Sequence, residues 1–338
     1  MVRVMARSGP LRVALAMSAE TADQIVTPEL LNRLRTVAKV EDGVLTNFTT
    51  PQARAALADV DVLLTGWGCP TVTAGVLNYA PHLKAIVHAA GSVREHVTEA
   101  CWDARIQVSS AADANAVPVA EYTLAMVLLA GKGVLWASRQ YHQQRAVPPV
   151  DPAAGNYGIT VGILSASLIG RRVIRLLQPH DFRVLVHDPF VSEEEIRALG
   201  GEPAGLQELF DRSDVLSVHT PLLPETRGLV SAELLARLRS GATLINTARG
   251  AVLDEGALTE EVVSGRLFAV LDVTDPEPPE AGSPLWTCPN VLLTPHRAGS
   301  AGNELARLAA SSINEIERLA DGRPLEFPVS HPSISRTA

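Results

Sequence analysis

The chain of 338 residues is poor in aromatic residues, in cysteine and in positive charge. Aromatic side chains make up 4% of the residues, so the core has to be built from Ala, Val, Leu and Ile. The three cysteines, Cys69, Cys101 and Cys288, lack the spacing of metal ligands; they favour reduced thiols over a disulfide and predict no metal site. A formal net charge of -8 and the lack of a basic run argue against a nucleic-acid partner.

Long hydrophobic runs are also missing. The first apolar run, residues 11–17, has the length of a strand and is a poor fit to a signal peptide. The most apolar later stretch, residues 122–130, is too short to span a bilayer. We therefore expect a soluble, cytoplasmic protein with no membrane association.

The chain has the length of two domains and an ordinary globular balance of 46% hydrophobic and 20% charged residues. In the first hundred residues, short apolar runs alternate with helical patterns. This rhythm predicts βαβ units and a parallel sheet. The predicted strands are 12–17, 36–40, 60–65, 85–89 and 106–109, and the predicted helices between them include 28–35 and 51–57.

A long apolar helix, beginning near residue 114, is predicted to open a second domain. Six further strands are expected after it, enough for a complete doubly wound domain. A last helical pattern, residues 303–319, is predicted to return to the first domain. The fold class is therefore α/β, with two doubly wound, Rossmann-like parallel-sheet domains. The strands of the second series are 160–164, 183–187, 215–219, 243–246, 268–271 and 291–293.

Three charged residues in the last third of the chain are candidates for chemistry: Arg249, Glu277 and His296. Each lies at or just beyond the end of a predicted buried strand, at the sheet edge where open α/β sheets bind ligands. Together they offer a cation, a carboxylate and an imidazole, which can hold a carboxylate substrate and move one proton. Taken singly, each also has a structural explanation, as a surface ion pair, a solvated loop acid or a strand-end residue.

The segment from residue 159 to Asp188 has the layout of a dinucleotide fingerprint: strand, tight loop, helix, strand and acid. Its loop reads Ser-x-Ser-x-x-Gly, where the pattern has Gly-x-Gly-x-x-Gly. Ser167 either crowds the phosphates with its Cβ or donates its hydroxyl to them, and a turn that binds no ligand is a third interpretation. Asp188 suits ribose hydroxyls and repels a 2′-phosphate, which favours NAD over NADP.

Four blocks of sequence that follow one another in a fixed order are more specific than any single motif. They are residues 219–229, 246–258, 271–286 and 290–296. In this order and spacing the chain resembles the D-isomer-specific 2-hydroxyacid dehydrogenase family. The resemblance implies a flavodoxin-like substrate domain (1–113 and 303–338), an NAD-binding Rossmann domain (114–302) and an active site in the cleft between them. It also implies a homodimer.

The resemblance also implies roles for individual residues. Arg249 corresponds to the arginine that binds the substrate carboxylate, Glu277 to the acid that pairs with the histidine, and His296 to the catalytic acid/base. The loop amides of Gly91, Ser92 and Val93 correspond to further substrate contacts. The positions implied to line the cofactor are Ser167, Leu168, Ile169, Asp188, Thr220, Thr247, Ala248 and Asp272.

Departures from the family's pattern leave the substrate open. Besides Ser165 and Ser167, Leu168 stands where many relatives carry an arginine, and residues 94–96 replace an Asp-Asn pair by Arg-Glu-His. We expect an NAD-dependent enzyme that transfers hydride between nicotinamide and a small D-2-hydroxy or 2-keto acid. The alternative is a dehydrogenase-fold ligand sensor, similar to co-repressors of this family, that binds without turnover.

Overall fold

The computed structural model describes residues 9–150, 152 and 154–331. Residues 1–8, which precede the first apolar run, lie outside the described residues. The chain divides into two compact units: unit 1 within Met1–Asn115 and Ser300–Thr337, and unit 2 within Ala116–Gly299. In chain order the elements are β1 (Leu11–Ala16), α1 (Ala19–Ile25), α2 (Pro28–Val37), β2 (Ala38–Val44), α3 (Pro51–Leu57), β3 (Val62–Thr65), α4 (Ala74–Leu77), β4 (Ala85–His88), α5 (Glu99–Asp103), β5 (Gln107–Ser110), α6 (Ala112–Gly131), α7 (Val134–Gln144), β6 (Thr160–Leu164), α8 (Leu168–Leu177), β7 (Arg183–His187), α9 (Glu193–Ala198), β8 (Glu202–Pro203), α10 (Leu206–Arg212), β9 (Val215–Val218), α11 (Ala232–Arg237), β10 (Thr243–Asn246), α12 (Glu255–Val263), β11 (Phe268–Leu271), β12 (Val291–Leu293), α13 (Leu305–Ala320) and β13 (Pro328–Val329).

Unit 1 is built on a sheet whose six described strands follow the order β13-β5-β4-β3-β1-β2. Without β13 this is the flavodoxin-like order 2-1-3-4-5, which confirms the expected fold. All neighbours are parallel except β13, which runs antiparallel to β5. The apolar face of α13 packs against this sheet, with Leu308, Ile313 and Ile316 fully buried in a core shared with β1 and β4. The predicted return of the last helix is therefore confirmed.

Unit 2 is built on a parallel sheet with the strand order β12-β11-β10-β9-β6-β7-β8 over the described residues. Counting from β6 as the first strand, the order is 3-2-1-4-5-6 with one more strand added, which is the Rossmann order. The six predicted strands are present. The register aligns Asn246 with Leu271 and Leu271 with Leu293, so β10, β11 and β12 end at the same level.

The prediction of a strand from residue 36 is wrong at its start, because α2 continues through Val37 before β2 begins at Ala38. The β-branched Thr36 favours a strand by propensity, yet its hydroxyl donates to the carbonyl of Arg33 within the helix, 2.7 Å away. The sequence analysis also missed β8 and β13. Each has two residues, one of them proline, which is too short for an alternating pattern.

Helix α6 is longer than its apolar centre suggests. It runs for 20 residues and includes Pro118. By length and composition alone, this one helix of the described chain could cross a bilayer, in contrast to the expectation from residues 122–130. In its most apolar window 44% of the residues are buried inside the protein, and core helices of soluble proteins share these features.

Candidate active site

The centre of the candidate site is a bond between His296 and Glu277. His296 follows β12 and Glu277 follows β11, and their Nδ1 and Oε1 atoms are 2.8 Å apart. An ionised carboxylate only accepts hydrogen bonds, so the ring carries its hydrogen on Nδ1 and leaves Nε2 for another partner. The side chains are 49% and 43% exposed, so solvent and a substrate can reach both.

Asp272, at the end of β11, holds the segment that carries His296. Its buried carboxylate accepts hydrogen bonds from the backbone N–H groups of Arg297 (2.7 Å) and Ala298 (2.9 Å). It also accepts from the Thr294 hydroxyl at 2.6 Å. Because that hydroxyl has one hydrogen, the Tyr122 hydroxyl has to be the donor in its 2.8 Å bond to Thr294. Burial raises the pKa of Tyr122, and the nearby Asp272 adds to this effect.

Arg249 follows β10, at the same sheet edge as the segments after β11 and β12. The side chain of Asn246 holds the turn on both sides: it accepts from the Ala248 N–H and donates to the Arg249 carbonyl, each at 3.0 Å. The Arg249 guanidinium donates to the Ala248 carbonyl at 2.6 Å. A Cβ on Gly250 would overlap the backbone of Thr274, so glycine is required where the two loops meet.

Glu255 supports the loop that carries Glu277. It is the first residue of α12, and its Oε2 accepts the backbone N–H of Asp275 at 2.8 Å. Burial raises the pKa of Glu255, whereas the bond from Asp275 acts in the opposite direction. The sequence analysis missed both Asn246 and Glu255. In the sequence, Asn246 is an amide at the end of a strand and Glu255 is an acid in the first turn of a helix. Both features are common, and neither indicates which loop the side chain holds.

The fingerprint loop adopts its tight turn without the usual first glycine. Ser165 has a φ of 80°, a conformation that favours glycine. Its hydroxyl and the N–H of Ala166 both donate to Oδ2 of Asp188, at 3.0 and 2.9 Å, and the N–H of Phe190 donates to Oδ1 at 2.8 Å. A Cβ on Gly170 would overlap the Ser165 carbonyl, so the one retained glycine permits the close approach of helix and strand.

The Ser167 hydroxyl is already engaged inside the protein. It donates to the carbonyl of His219 at 2.9 Å and caps α8 by accepting the N–H of Gly170 at 3.3 Å. Its only hydrogen therefore reaches a phosphate only if the bond to His219 breaks. Leu168, 44% exposed, and the half-buried Ile169 form the first turn of α8.

Three further positions implied to line the cofactor, Thr220, Thr247 and Ala248, are buried at the ends of β9 and β10. Beside them, the buried His219 ring is 2.9 Å from the Ser217 hydroxyl through Nε2. Burial lowers the pKa of His219 to about 3, so the ring is neutral at pH 7.

The observed geometry of the loop fits a dinucleotide. The turn between β6 and α8 leads into the N-terminus of α8, whose backbone N–H groups suit the phosphates of a dinucleotide. Asp188 lies just beyond the end of β7, and its Oδ1 accepts the N–H of Phe190. A carboxylate oxygen accepts about two hydrogen bonds, so Oδ1 can also accept from a ribose hydroxyl. The negative charge of Asp188 opposes a 2′-phosphate.

Unit 1 carries the loop after β4, which the resemblance implies is a substrate-binding loop. Gly91 and Ser92 are half-buried and Val93 is buried. Within the described chain no hydrogen-bond acceptor is found for the backbone N–H groups of these three residues. Successive free N–H groups of this kind can bind a carboxylate. The candidate residues Arg249, Glu277, His296 and those of the cofactor set all belong to unit 2.

The cysteines Cys69, Cys101 and Cys288 are free, as expected. Burial raises the pKa of Cys69 to about 12, which keeps its thiol protonated. Among the residues that the structure describes, no group of His, Cys, Asp or Glu could hold a metal ion.

Comparison with known proteins agrees with this geometry. Residues 124–298, more than half of the chain, match the sequence model of the D-isomer specific 2-hydroxyacid dehydrogenase, NAD binding domain. The chain is 32% identical over 305 residues to a D-3-phosphoglycerate dehydrogenase of Methanocaldococcus jannaschii, covering 89% of this chain and 57% of the relative. A Bacillus subtilis D-3-phosphoglycerate dehydrogenase is 30% identical over 271 residues, which are 78% of this chain and 50% of the relative. The chain thus spans about half the length of these relatives.

Solved structures share the fold over nearly the whole chain. The TT0316 protein from Thermus thermophilus has a TM-score of 0.73 and 28% identity, covering 95% of this chain and 100% of that one. A phosphoglycerate oxidoreductase from Rhizobium etli reaches a TM-score of 0.81 at 21% identity, with 95% and 99% covered. At that identity the likeness concerns the fold alone. Since the matched model is an NAD-binding domain and the loop fits a dinucleotide, NAD is the cofactor. The chain belongs to the D-isomer-specific 2-hydroxyacid dehydrogenase family.

Proposed function

We propose that the protein is an NAD-dependent oxidoreductase that interconverts a small 2-keto acid and the corresponding D-2-hydroxy acid. The observation that carries this proposal is the 2.8 Å bond between His296 and Glu277, on adjacent strand ends of the NAD-binding unit. Arg249 follows the next strand of the same edge. A cation, an acid and an imidazole at one sheet edge are the groups that this reaction needs.

In the reduction, His296 donates a proton from Nε2 to the keto oxygen of the substrate. Glu277 holds the ring through Nδ1, so the ring keeps the same orientation through each proton transfer. In the oxidation, the neutral Nε2 accepts the proton of the hydroxyl. Nicotinamide, when bound, supplies or accepts the hydride at C2.

Arg249 binds the substrate carboxylate through paired hydrogen bonds and polarises the keto oxygen. The side chain of Asn246 fixes the backbone turn that carries Arg249, so this turn does not have to be ordered when the substrate binds. The backbone N–H groups of Gly91, Ser92 and Val93 provide further donors for the carboxylate. Of the residues implied to line the cofactor, Asp188 accepts a hydrogen bond from a ribose hydroxyl of NAD. Asp272 has only part of its hydrogen-bonding capacity left for the carboxamide group of the nicotinamide.

The substrate class follows from the family, and the individual acid stays open. Two relatives of similar sequence are named D-3-phosphoglycerate dehydrogenase, and a structural neighbour is a D-mandelate dehydrogenase from Rhodotorula graminis, with a TM-score of 0.75 and 22% identity over 95% of this chain and 98% of that one. These names span charged and aromatic 2-hydroxy acids. The homodimer and the cytoplasmic location remain predictions of the resemblance and of the composition.

The deciding experiment measures NADH and NADPH binding by calorimetry and turnover of a panel of 2-keto acids, on the wild type and on His296→Asn. We expect NADH to bind more tightly than NADPH. The substitution should lower kcat by about 100-fold or more, because general acid catalysis contributes that much, while NADH affinity stays unchanged.

The matched control is His142→Asn, which removes an exposed histidine of α7 in the same unit and should leave turnover intact. Tight NADH binding by a wild type that reduces no 2-keto acid would favour the ligand-sensor alternative. Turnover retained at the wild-type rate in His296→Asn would contradict the assigned role.

A further inference from the structure

Unit 1 contains a buried polar cluster for which the proposed chemistry has no use: Thr65, His88 and His96, here called the histidine cluster. Thr65 ends β3 and His88 ends β4, and the two residues are register partners on adjacent strands. The Thr65 hydroxyl is 2.9 Å from Nδ1 of His88 and 3.3 Å from Nε2 of His96. The two rings lie 4.4 Å apart, and all three side chains are almost fully buried.

Both rings are neutral at pH 7. Burial, and secondarily the His96 ring, lowers the pKa of His88 well below its ordinary value. Burial lowers the pKa of His96 to about 4. The backbone of Ser92 acts on the His88 pKa in the opposite direction. In a neutral imidazole one ring nitrogen donates a hydrogen bond and the other accepts one.

The single hydrogen of the Thr65 hydroxyl determines how these two bonds are shared. The hydroxyl can donate to only one of the two ring nitrogens, Nδ1 of His88 or Nε2 of His96, so the other nitrogen has to donate to the hydroxyl oxygen. The three side chains thus form one chain of hydrogen bonds with Thr65 at its centre.

The chain of bonds spans the loop expected to bind the substrate. Residues 89–95, here called the carboxylate loop, begin directly after His88 and end directly before His96. The N–H of Ala89 also donates to the Thr65 carbonyl at 2.7 Å. Both ends of the loop are thus tied to one threonine. Between these ends, no acceptor is found within the described residues for the N–H groups of Gly91, Ser92 and Val93, which are therefore available for an anion.

We propose that the histidine cluster is a positioning device that preorganises the carboxylate loop for the carboxylate of the 2-keto acid. The proposal rests on the proposed function. It assigns a role to His96, which lies in the stretch 94–96 where the sequence departs from the family's pattern. A preformed loop lowers the ordering cost of binding, so the cluster acts on substrate affinity rather than on proton transfer.

The test compares Thr65→Val, which removes the hydroxyl at nearly constant volume, with Thr65→Ser, which restores it. The control is Ser109→Ala, which removes a buried hydroxyl of β5 that has no hydrogen-bond partner among the described residues. Amide hydrogen exchange of residues 89–95 reports the order of the loop without any substrate. Steady-state kinetics and NADH calorimetry report binding and chemistry.

We expect faster exchange in the carboxylate loop of Thr65→Val and a KM for the 2-keto acid raised roughly tenfold, since small misplacements of binding groups have effects of that order or larger. The values of kcat and of the NADH Kd should stay close to those of the wild type. Thr65→Ser should restore exchange and KM, and Ser109→Ala should change neither.

Unchanged exchange in Thr65→Val would overturn the proposal, and so would faster exchange with an unchanged KM. A wild type without turnover would reject the proposed function, whereas the exchange data would still decide whether the cluster orders the loop. If Thr65→Val does not fold, His96→Leu removes only the bond between His96 and Thr65, and the same comparison of exchange and KM applies to it.

Discussion

Of the three described non-glycine residues of unit 2 with a positive φ, which L-amino acids rarely adopt, two lie in the candidate site: Ser165 and His296, with φ values of 80° and 51°. Such a conformation costs about 1–2 kcal/mol, so it persists only where surrounding bonds hold it. At Ser165 the bonds come from Asp188, which receives both the hydroxyl and the next N–H. At His296 they come from Asp272, whose carbonyl accepts the His296 N–H at 3.0 Å. Strain therefore marks both the cofactor loop and the candidate acid/base.

The first prediction concerns Asp272→Asn. The amide keeps the shape but replaces one accepting oxygen by an NH₂ group, which faces N–H donors of the segment 297–298. We expect a loss of about 1.5–3 kcal/mol of unfolding free energy, the contribution of hydrogen bonds to a charged group, and a lower kcat because His296 is no longer held. Urea unfolding and kinetics measure both. The control Tyr122→Phe removes one outer bond and should cost about 1 kcal/mol; equal effects would contradict the role of Asp272.

Among the elements, β10, β11 and β12 bring the charged residues together by ending level with one another. The segments that leave these strands carry Arg249, Glu277 and His296, and residues of the following turns and helices hold them. Asn246 and Glu255 do so for the first two. The strands thus decide where the groups lie, and the hydrogen bonds of the loops decide how they point.

The second prediction concerns the N-terminus of α8. Ser167→Ala removes both the cap and the bond to the His219 carbonyl. We expect a loss of about 0.5–2 kcal/mol for the cap alone, and a further loss for the unsatisfied carbonyl. Thermal unfolding is compared with Ser231→Ala, which removes only the cap of α11. A smaller effect of Ser167→Ala than of Ser231→Ala would show that the bond to His219 does not stabilise the protein.

For the whole molecule, both units bury neutral histidines: His88 and His96 in unit 1 and His219 in unit 2. Their pKa values are lowered from 6.5, to about 4 for His96 and about 3 for His219. As the pH falls below 6.5, the unfolded chain binds protons that the folded protein does not. The stability that these residues contribute is therefore complete above pH 6.5 and is lost as the pH falls from there towards the folded values.

The third prediction is a fall in unfolding free energy between pH 7 and pH 5, by up to about 1.4 kcal/mol per pH unit for each histidine. Urea unfolding at several pH values measures it. Burial raises the pKa values of Glu255 and Glu315, which act in the opposite direction. The variant His219→Asn isolates the contribution of one histidine. The pH dependence of its unfolding free energy should be weaker than that of the wild type, by up to the effect of one proton bound on unfolding. An identical pH dependence would contradict a neutral, buried His219.

Much of the fold and part of the site could be predicted from the sequence. Strands β6, β7, β10, β11 and β12 were predicted with their observed bounds, because buried parallel strands are short apolar runs between clear turn signals. The two-residue strands β8 and β13 were missed, because pairing at a sheet edge leaves no periodic pattern. The bond between Glu277 and His296 could be expected from the family's motifs. The bonds of Asp272 to residues 297–298 could not, because they depend on how two loops pack.

The α/β class, the Rossmann and flavodoxin-like units, the family and the identity of the charged residues all follow from the amino-acid sequence. They depend on local patterns and on motif spacing, which a single chain displays. Three contacts follow only from the packing of the folded chain. The Ser167 hydroxyl bonds to the His219 carbonyl, Asp188 holds the Ser165 turn, and Thr65 joins two histidines around one loop. Such contacts join residues far apart in the chain, and their hydrogen bonds are formed only when neighbouring strands and loops have packed.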